Sequence, residues 1–192
     1  MIPRRALLLV GMLAGASLGH MPLALANPRQ DASTQQQQRM QGFLRAPRLV
    51  GQHRFTYWGF EVYDASLWAD SEFSPEDWAR QALILELRYL RDFKGADIAQ
   101  RSIDEMHGQR ALGPVQLKSW LDTLQQLIPN VRSGERLTGV YRPGKGMQLL
   151  HQDRFVGEVM DAELAQRFMG IWLAPETSQR QLRQQLLAGA RP

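Results

Sequence analysis

The sequence predicts an α+β fold, an antiparallel sheet with helices packed on it. Two observations carry this. After residue 49 the hydrophobic period runs in blocks of three strands, two helices, three strands and two helices, and the strands inside each block are joined by short turns. Consecutive strands joined by tight turns pair antiparallel. No linker interrupts the pattern, so residues 49–188 form one domain.

Residues 52–68 read as a β-hairpin: Phe55, Tyr57, Phe60, Val62 and Leu67 lie in an aromatic and β-branched stretch around Trp58-Gly59, and Gly59 supplies the positive φ of a tight turn. A two-residue loop pairs Tyr57 with Phe60, Thr56 with Glu61, Phe55 with Val62 and Arg54 with Tyr63. One face then carries Phe55, Tyr57, Phe60 and Val62, and the other carries Arg54, Thr56, Glu61 and Tyr63.

Beyond Pro75, Glu76 to Arg80 reads as a helical turn, and Leu83, Leu85, Leu87 and Tyr89 alternate along a strand. Gly95 to Met106 is helical, and Pro114 opens a helix whose Leu117, Trp120, Leu121, Leu124, Leu127 and Ile128 form an apolar stripe that Pro129 ends. The second strand block comprises Arg136–Arg142, Met147–Gln152 and Phe155–Met160. Asp161 caps the next helix, and Ser178 with Gln181 forms a capping box for the last.

The N-terminus predicts export. Arg4 and Arg5, the apolar run Ala6–Leu18 and the small residues Ala24-Leu25-Ala26 make residues 1–26 a cleavable signal, placing the mature chain in the periplasm from about Asn27. Residues 27–48, with Gln35 to Gln38 in a row, read as a flexible or loosely helical leader. The chain has no cysteine, which excludes a disulfide framework and thiol catalysis. Without Arg4 and Arg5, 21 of the 23 basic residues face 19 acids, a scattered balance unlike that of a nucleic-acid binder. His53, His107 and His151 are isolated from one another, and no phosphate-binding glycine loop or nucleophile elbow is present, so the sequence predicts no metal and no cofactor.

The candidate site is the hairpin's second face. Arg54 and Tyr63, with Thr56 beside them, offer charged and neutral donors to a carboxylate or enolate oxygen. The alternative is that Arg54 forms a half-solvated ion pair with Glu61. Asp104 and Glu105 read as a solvated helix face, and Trp120, Phe168, Met169 and Trp172 as core or as one wall of an apolar cleft.

Gly51-Gln52-His53-Arg54, Val62-Tyr63-Asp64-Ala65-Ser66-Leu67, Ile128-Pro129-Asn130-Val131, Gly134-Glu135-Arg136-Leu137 and Phe168-Met169-Gly170-Ile171-Trp172-Leu173 occur in the order seen in the chalcone isomerase-like proteins, and the chain resembles their secreted bacterial branch from about Leu49 to Leu187. The resemblance implies an open-faced sandwich, a curved antiparallel sheet with a layer of helices and a ligand cleft between them. It also implies that Arg54 meets the anionic part of a ligand, with Tyr63 as its partner in the fatty-acid-binding members. The enzyme's helix tyrosine falls at Ile98 and its asparagine at about Glu105, neither of which preserves the chemistry. The expectation is a non-catalytic binder of a small amphipathic acid such as a fatty acid. Its rivals are an isomerase or lyase with Arg54 steadying an enolate, and a scaffold with no ligand.

Overall fold

The computed structural model describes residues 28–190, so the signal assigned to residues 1–26 lies outside the described residues. The elements are α1 (Pro28–Met40), β1 (Pro47–Tyr57), β2 (Phe60–Asp70), β3 (Leu83–Tyr89), α2 (Gly95–Gln109), α3 (Pro114–Leu127), β4 (Arg136–Arg142), β5 (Gly146–His151), β6 (Arg154–Val159), α4 (Ala162–Leu173) and α5 (Arg180–Leu187). A short 3₁₀ turn spans Trp78–Arg80.

The six strands form one antiparallel sheet in chain order. Alternation along β3 divides the molecule: Leu83, Leu85, Leu87 and Tyr89 enter the main core with residues of α2 to α5, while Ile84 joins a smaller cluster on the other face. The α+β open-faced sandwich expected from the sequence is therefore the observed fold.

Local chemistry fixes the helical layer. Pro114 occupies the first turn of α3, where its missing N–H is no loss. Asp161 Oδ1 accepts from the backbone N–H groups of Glu163 and Leu164 at 2.9 and 3.0 Å, and Oδ2 accepts from Trp120 Nε1 at 2.9 Å. One carboxylate thus caps α4 and ties it to α3. Behind them Leu124, Leu164, Met169 and Leu173 are buried to 1% exposure or less.

Three expectations differ from the structure. The leader contains helix α1 followed by Phe43 and Leu44, and Met40 and Leu44 are buried with Trp68, Ile84, Val140 and Leu150 on the outer sheet face. The glutamines that suggested a loose segment also make specific bonds, Gln36 Nε2 donating to Glu86 and Gln37 Nε2 to the Pro47 carbonyl. Ser178 does not cap α5; the N-cap is Gln179 without a side-chain bond, and the Ser178 hydroxyl donates to Glu105 at 2.7 Å.

The third difference moves the candidate site. Trp58 and Gly59 occupy left-handed conformations, φ 52° and 78°, as a tight hairpin turn requires. Tyr57 pairs with Phe60 and Thr56 with Glu61 as expected, but a bulge then leaves Val62 unpaired. Phe55 therefore lies opposite Tyr63, and Arg54 opposite Asp64. An extra residue on one strand shifts the side chains beyond it to the other face.

Candidate functional site

A cavity of about 330 Å³ opens between the inner sheet face and α2 and α4. Leu85, Gly139 and Leu149 line it, and they are register neighbours on three consecutive strands. Gly139 matters because a Cβ there would come to 3.0 Å from Met147 Sδ, so a larger residue would crowd this wall. Phe168, Met169, Ile171 and Trp172 from α4 and Ile98 from α2 also line the space, with Phe55, Tyr57, Val62 and Phe93 at the hairpin side. The lining is overwhelmingly apolar, as ligand sites generally are.

The polar groups come from the sheet, α2 and α4. Tyr63 and Tyr89 are register partners on β2 and β3, with rings edge-on at 5.9 Å between centroids. Trp172 Nε1 donates to the Tyr63 oxygen at 3.0 Å, and among the described residues no acceptor takes the proton of either phenol. Burial raises the pKa of Tyr63, Glu105 raises it further, and the Trp172 bond and Arg101 pull the other way. Tyr89, 4% exposed, is raised by burial and by Tyr63. Both phenols therefore remain neutral donors across the physiological range.

Helix α2 presents Ile98, Arg101, Ser102 and Glu105 to the cavity, the i, i+3, i+4, i+7 spacing of one helix face. Arg101 is the cation of this lining; it pairs with Glu105 and lies 5.6 Å over the Tyr57 ring. Its side chain is 58% exposed, against 12% for Glu105. The Glu105 carboxylate is engaged at both oxygens, by Arg101 and by Ser178. The Ser102 hydroxyl donates back to the Ile98 carbonyl, and Asp97 stands exposed in the first turn of α2. The half-enclosed polar groups thus supply donors in excess of acceptors.

Arg54 lies outside this site. Its Nε and Nη2 hold Asp64 at 2.7 and 3.2 Å, and its Nη1 holds Glu61 at 2.7 Å. Arg88 Nη2 reaches the same Asp64 at 2.7 Å, so Arg54, Asp64 and Arg88 form a charged row across three strands. These partners raise the Arg54 pKa, and the bond from Arg54 is the largest cause of the lowered Asp64 pKa. The expected pairing of Arg54 with Tyr63 is thereby corrected, and so is its place as anchor for a carboxylate or enolate. The physical reason is the Val62 bulge. Thr56 is exposed beside the turn and does not line the cavity, whereas Tyr63 does.

Sequence reasoning overlooked Tyr89 and Arg101 and assigned Glu105 to a solvated face. The signal was present in the inward alternation of β3 and in the position of Arg101 one helical turn from Ile98. Ile98 and Glu105, the positions where the resemblance places the enzyme's helix groups, both line the cavity.

The fold is also seen in a crystal structure of an Arabidopsis thaliana fatty-acid binding protein, with a TM-score of 0.54 and 12% identity over 74% of this chain and 87% of that one. An uncharacterized protein of Haemophilus influenzae is 28% identical over 138 residues, 72% of this chain and 66% of the relative's own length. Residues 51–188 match the family described as chalcone isomerase-like, and those residues contain the whole cavity lining. The chain belongs to the chalcone isomerase-like family.

Proposed function

We propose that this protein binds a small amphipathic acid such as a fatty acid, its apolar tail in the cavity and its head at Tyr63, Tyr89 and Arg101, without catalysing a reaction on it. The carrying observation is the imbalance of hydrogen-bonding groups in a greasy cavity: a buried phenol at Tyr89 and a half-buried one at Tyr63, both without acceptors, and a guanidinium with only part of its donor set in use. A group that accepts without donating satisfies all three, and a carboxylate is such a group. The structural neighbour is titled a fatty-acid binding protein, which supports the same reading. At about 330 Å³ the space lies near the lower end of the roughly 300–1,000 Å³ of ligand sites, favouring a short or bent chain.

The positions of Ile98 and Glu105 support binding over turnover. Ile98 has no donor, and Glu105 would add negative charge beside an enolate or phenolate. We further place the protein in the periplasm, on the basic, apolar and small-residue pattern of residues 1–26. Cell fractionation and N-terminal sequencing test this, with a start near Asn27 expected.

Native mass spectrometry of gently purified protein and calorimetric titration with fatty acids and their alcohol analogues test the ligand. Arg101→Gln and Tyr89→Phe should each weaken carboxylates by about tenfold, the size of a charge-assisted or buried hydrogen bond, and change alcohols less. Ile98→Trp should block both. Equal losses for acid and alcohol in Arg101→Gln would reject the head-group assignment, and failure of the parent to bind either would reject the cavity reading.

A further inference from the structure

The tip of the β1–β2 hairpin is apolar where structure gives it no reason to be. Every residue from Thr56 to Glu61 is exposed, and Tyr57, Trp58 and Phe60 are 48, 84 and 60% exposed. Trp58 also holds φ 52°, a left-handed conformation that favours glycine or asparagine and is costly for a bulky side chain. Trp58 meets only the edge of the Tyr57 ring, 6.3 Å between centroids, and a large side chain left this exposed in a turn it does not ease points to an external contact.

Two guanidinium groups complete the surface. Arg91 lies 4.8 Å over the Phe60 ring, and Arg101 lies 5.6 Å over the Tyr57 ring. Arg91 has no carboxylate partner among the described residues, while the nearby Glu61 charge is offset by Arg54. Aromatic rings flanked by cations match the boundary between lipid headgroups and acyl chains, where Trp and Tyr settle and guanidinium groups meet phosphates. A tip two residues wide suits a deformable layer better than a flat protein face. Tyr57 belongs both to this tip and to the cavity lining, so apolar surface runs from one into the other.

We propose that the aromatic hairpin tip docks the protein on the headgroup layer of an anionic phospholipid bilayer, with the cavity mouth turned toward the membrane as the source of its ligand. The delivery half of this inference rests on the cavity reading; the docking half does not. Among the described residues no helix is long and apolar enough to cross a membrane.

The test is co-sedimentation of the full chain with vesicles of phosphatidylcholine alone and of phosphatidylcholine mixed with phosphatidylglycerol. Parent and variant share the same N-terminus, so their difference isolates the tip. The parent should bind the anionic vesicles more tightly. A chain carrying both Trp58→Ser and Phe60→Ser should bind them at least about tenfold more weakly, and Arg91→Gln should lose most of the preference for anionic over neutral lipid. Fatty-acid affinity in lipid-free solution should be unchanged in the double variant, which separates docking from the cavity reading. Docking is overturned if the double variant sediments as the parent does, or if the parent ignores both vesicle types. It is equally overturned if sedimentation velocity shows that the parent self-associates and the tip substitutions abolish that association, because the tip is then an interface between copies.

Discussion

The phenol of Tyr89 carries the sharpest chemical consequence in the cavity. Tyr63, Tyr89 and Tyr141 all have raised pKa values, with burial the largest cause for each, so the folded state holds these protons more tightly than the unfolded chain does. Their contribution to stability is complete below the ordinary tyrosine value of about 10 and is lost as the pH rises above it, because the unfolded chain deprotonates first. Urea midpoints at about pH 9 and about pH 11 should therefore differ, and Tyr89→Phe should narrow the difference. An unchanged difference would mean that Tyr89 titrates normally. Arg54 gives a complementary prediction: since it faces Glu61 and Asp64, Arg54→Ala should leave fatty-acid affinity within about twofold of the parent by calorimetry. Individual side chains were the least legible part of the sequence. Reading Tyr63 as a site residue required only its type and strand, whereas placing it opposite Phe55 instead of Arg54 required knowing that Val62 drops out of the β1–β2 ladder. A bulge of this kind has no reliable residue signature.

Elements were far more legible, because hydrophobic period and turn chemistry agreed. Pro114, Pro129, Asp161 and the Trp58-Gly59 turn marked boundaries that coincide with the observed ones to within a residue or two. What the sequence hid was contact between elements. Gly51 shows this: a Cβ there would lie 2.3 Å from the Gln185 carbonyl oxygen and 2.4 Å from that of Leu186. Strand β1 and helix α5 approach this closely only over a residue with no side chain. Gly51→Ala should destabilise the protein by about 2 kcal/mol, measured by urea denaturation, through displacement of α5. A loss close to zero would show that α5 can lift away freely. Ser178 illustrates the opposite failure. Its spacing from Gln181 satisfied a local capping rule, yet a bond to Glu105 on a distant helix prevailed.

At the scale of the molecule, one sheet separates two environments. The inner face holds the main core and the cavity, while the outer face combines the Arg54–Asp64–Arg88 row with the apolar patch under α1. That patch surrounds Glu86, which is 5% exposed and faces Gln36, Arg39 and Arg136. A chain beginning after Leu44 would uncover Trp68, Ile84, Val140 and Leu150 and remove the Gln36 and Arg39 partners of Glu86. Such a chain should bind an apolar dye and unfold at a lower temperature than the longer one, since it loses apolar burial and two of the polar partners of Glu86. Unaltered melting would show that α1 contributes nothing to the fold. The glutamine-rich composition of this stretch concealed its role, because its apolar contact comes from Met40 and Leu44 with Phe43 packed beside them.

The unpaired Val62 acts as a spacer that decides which chemistry each side of the hairpin offers. Were Val62 instead held in the ladder opposite Phe55, the register would slip by one and bring Arg54 level with Tyr63. Either the phenol would swing out toward water or the guanidinium would be forced inward against Trp172. One residue of register, with no change in composition, would thus exchange a greasy binding chamber for an ionic one.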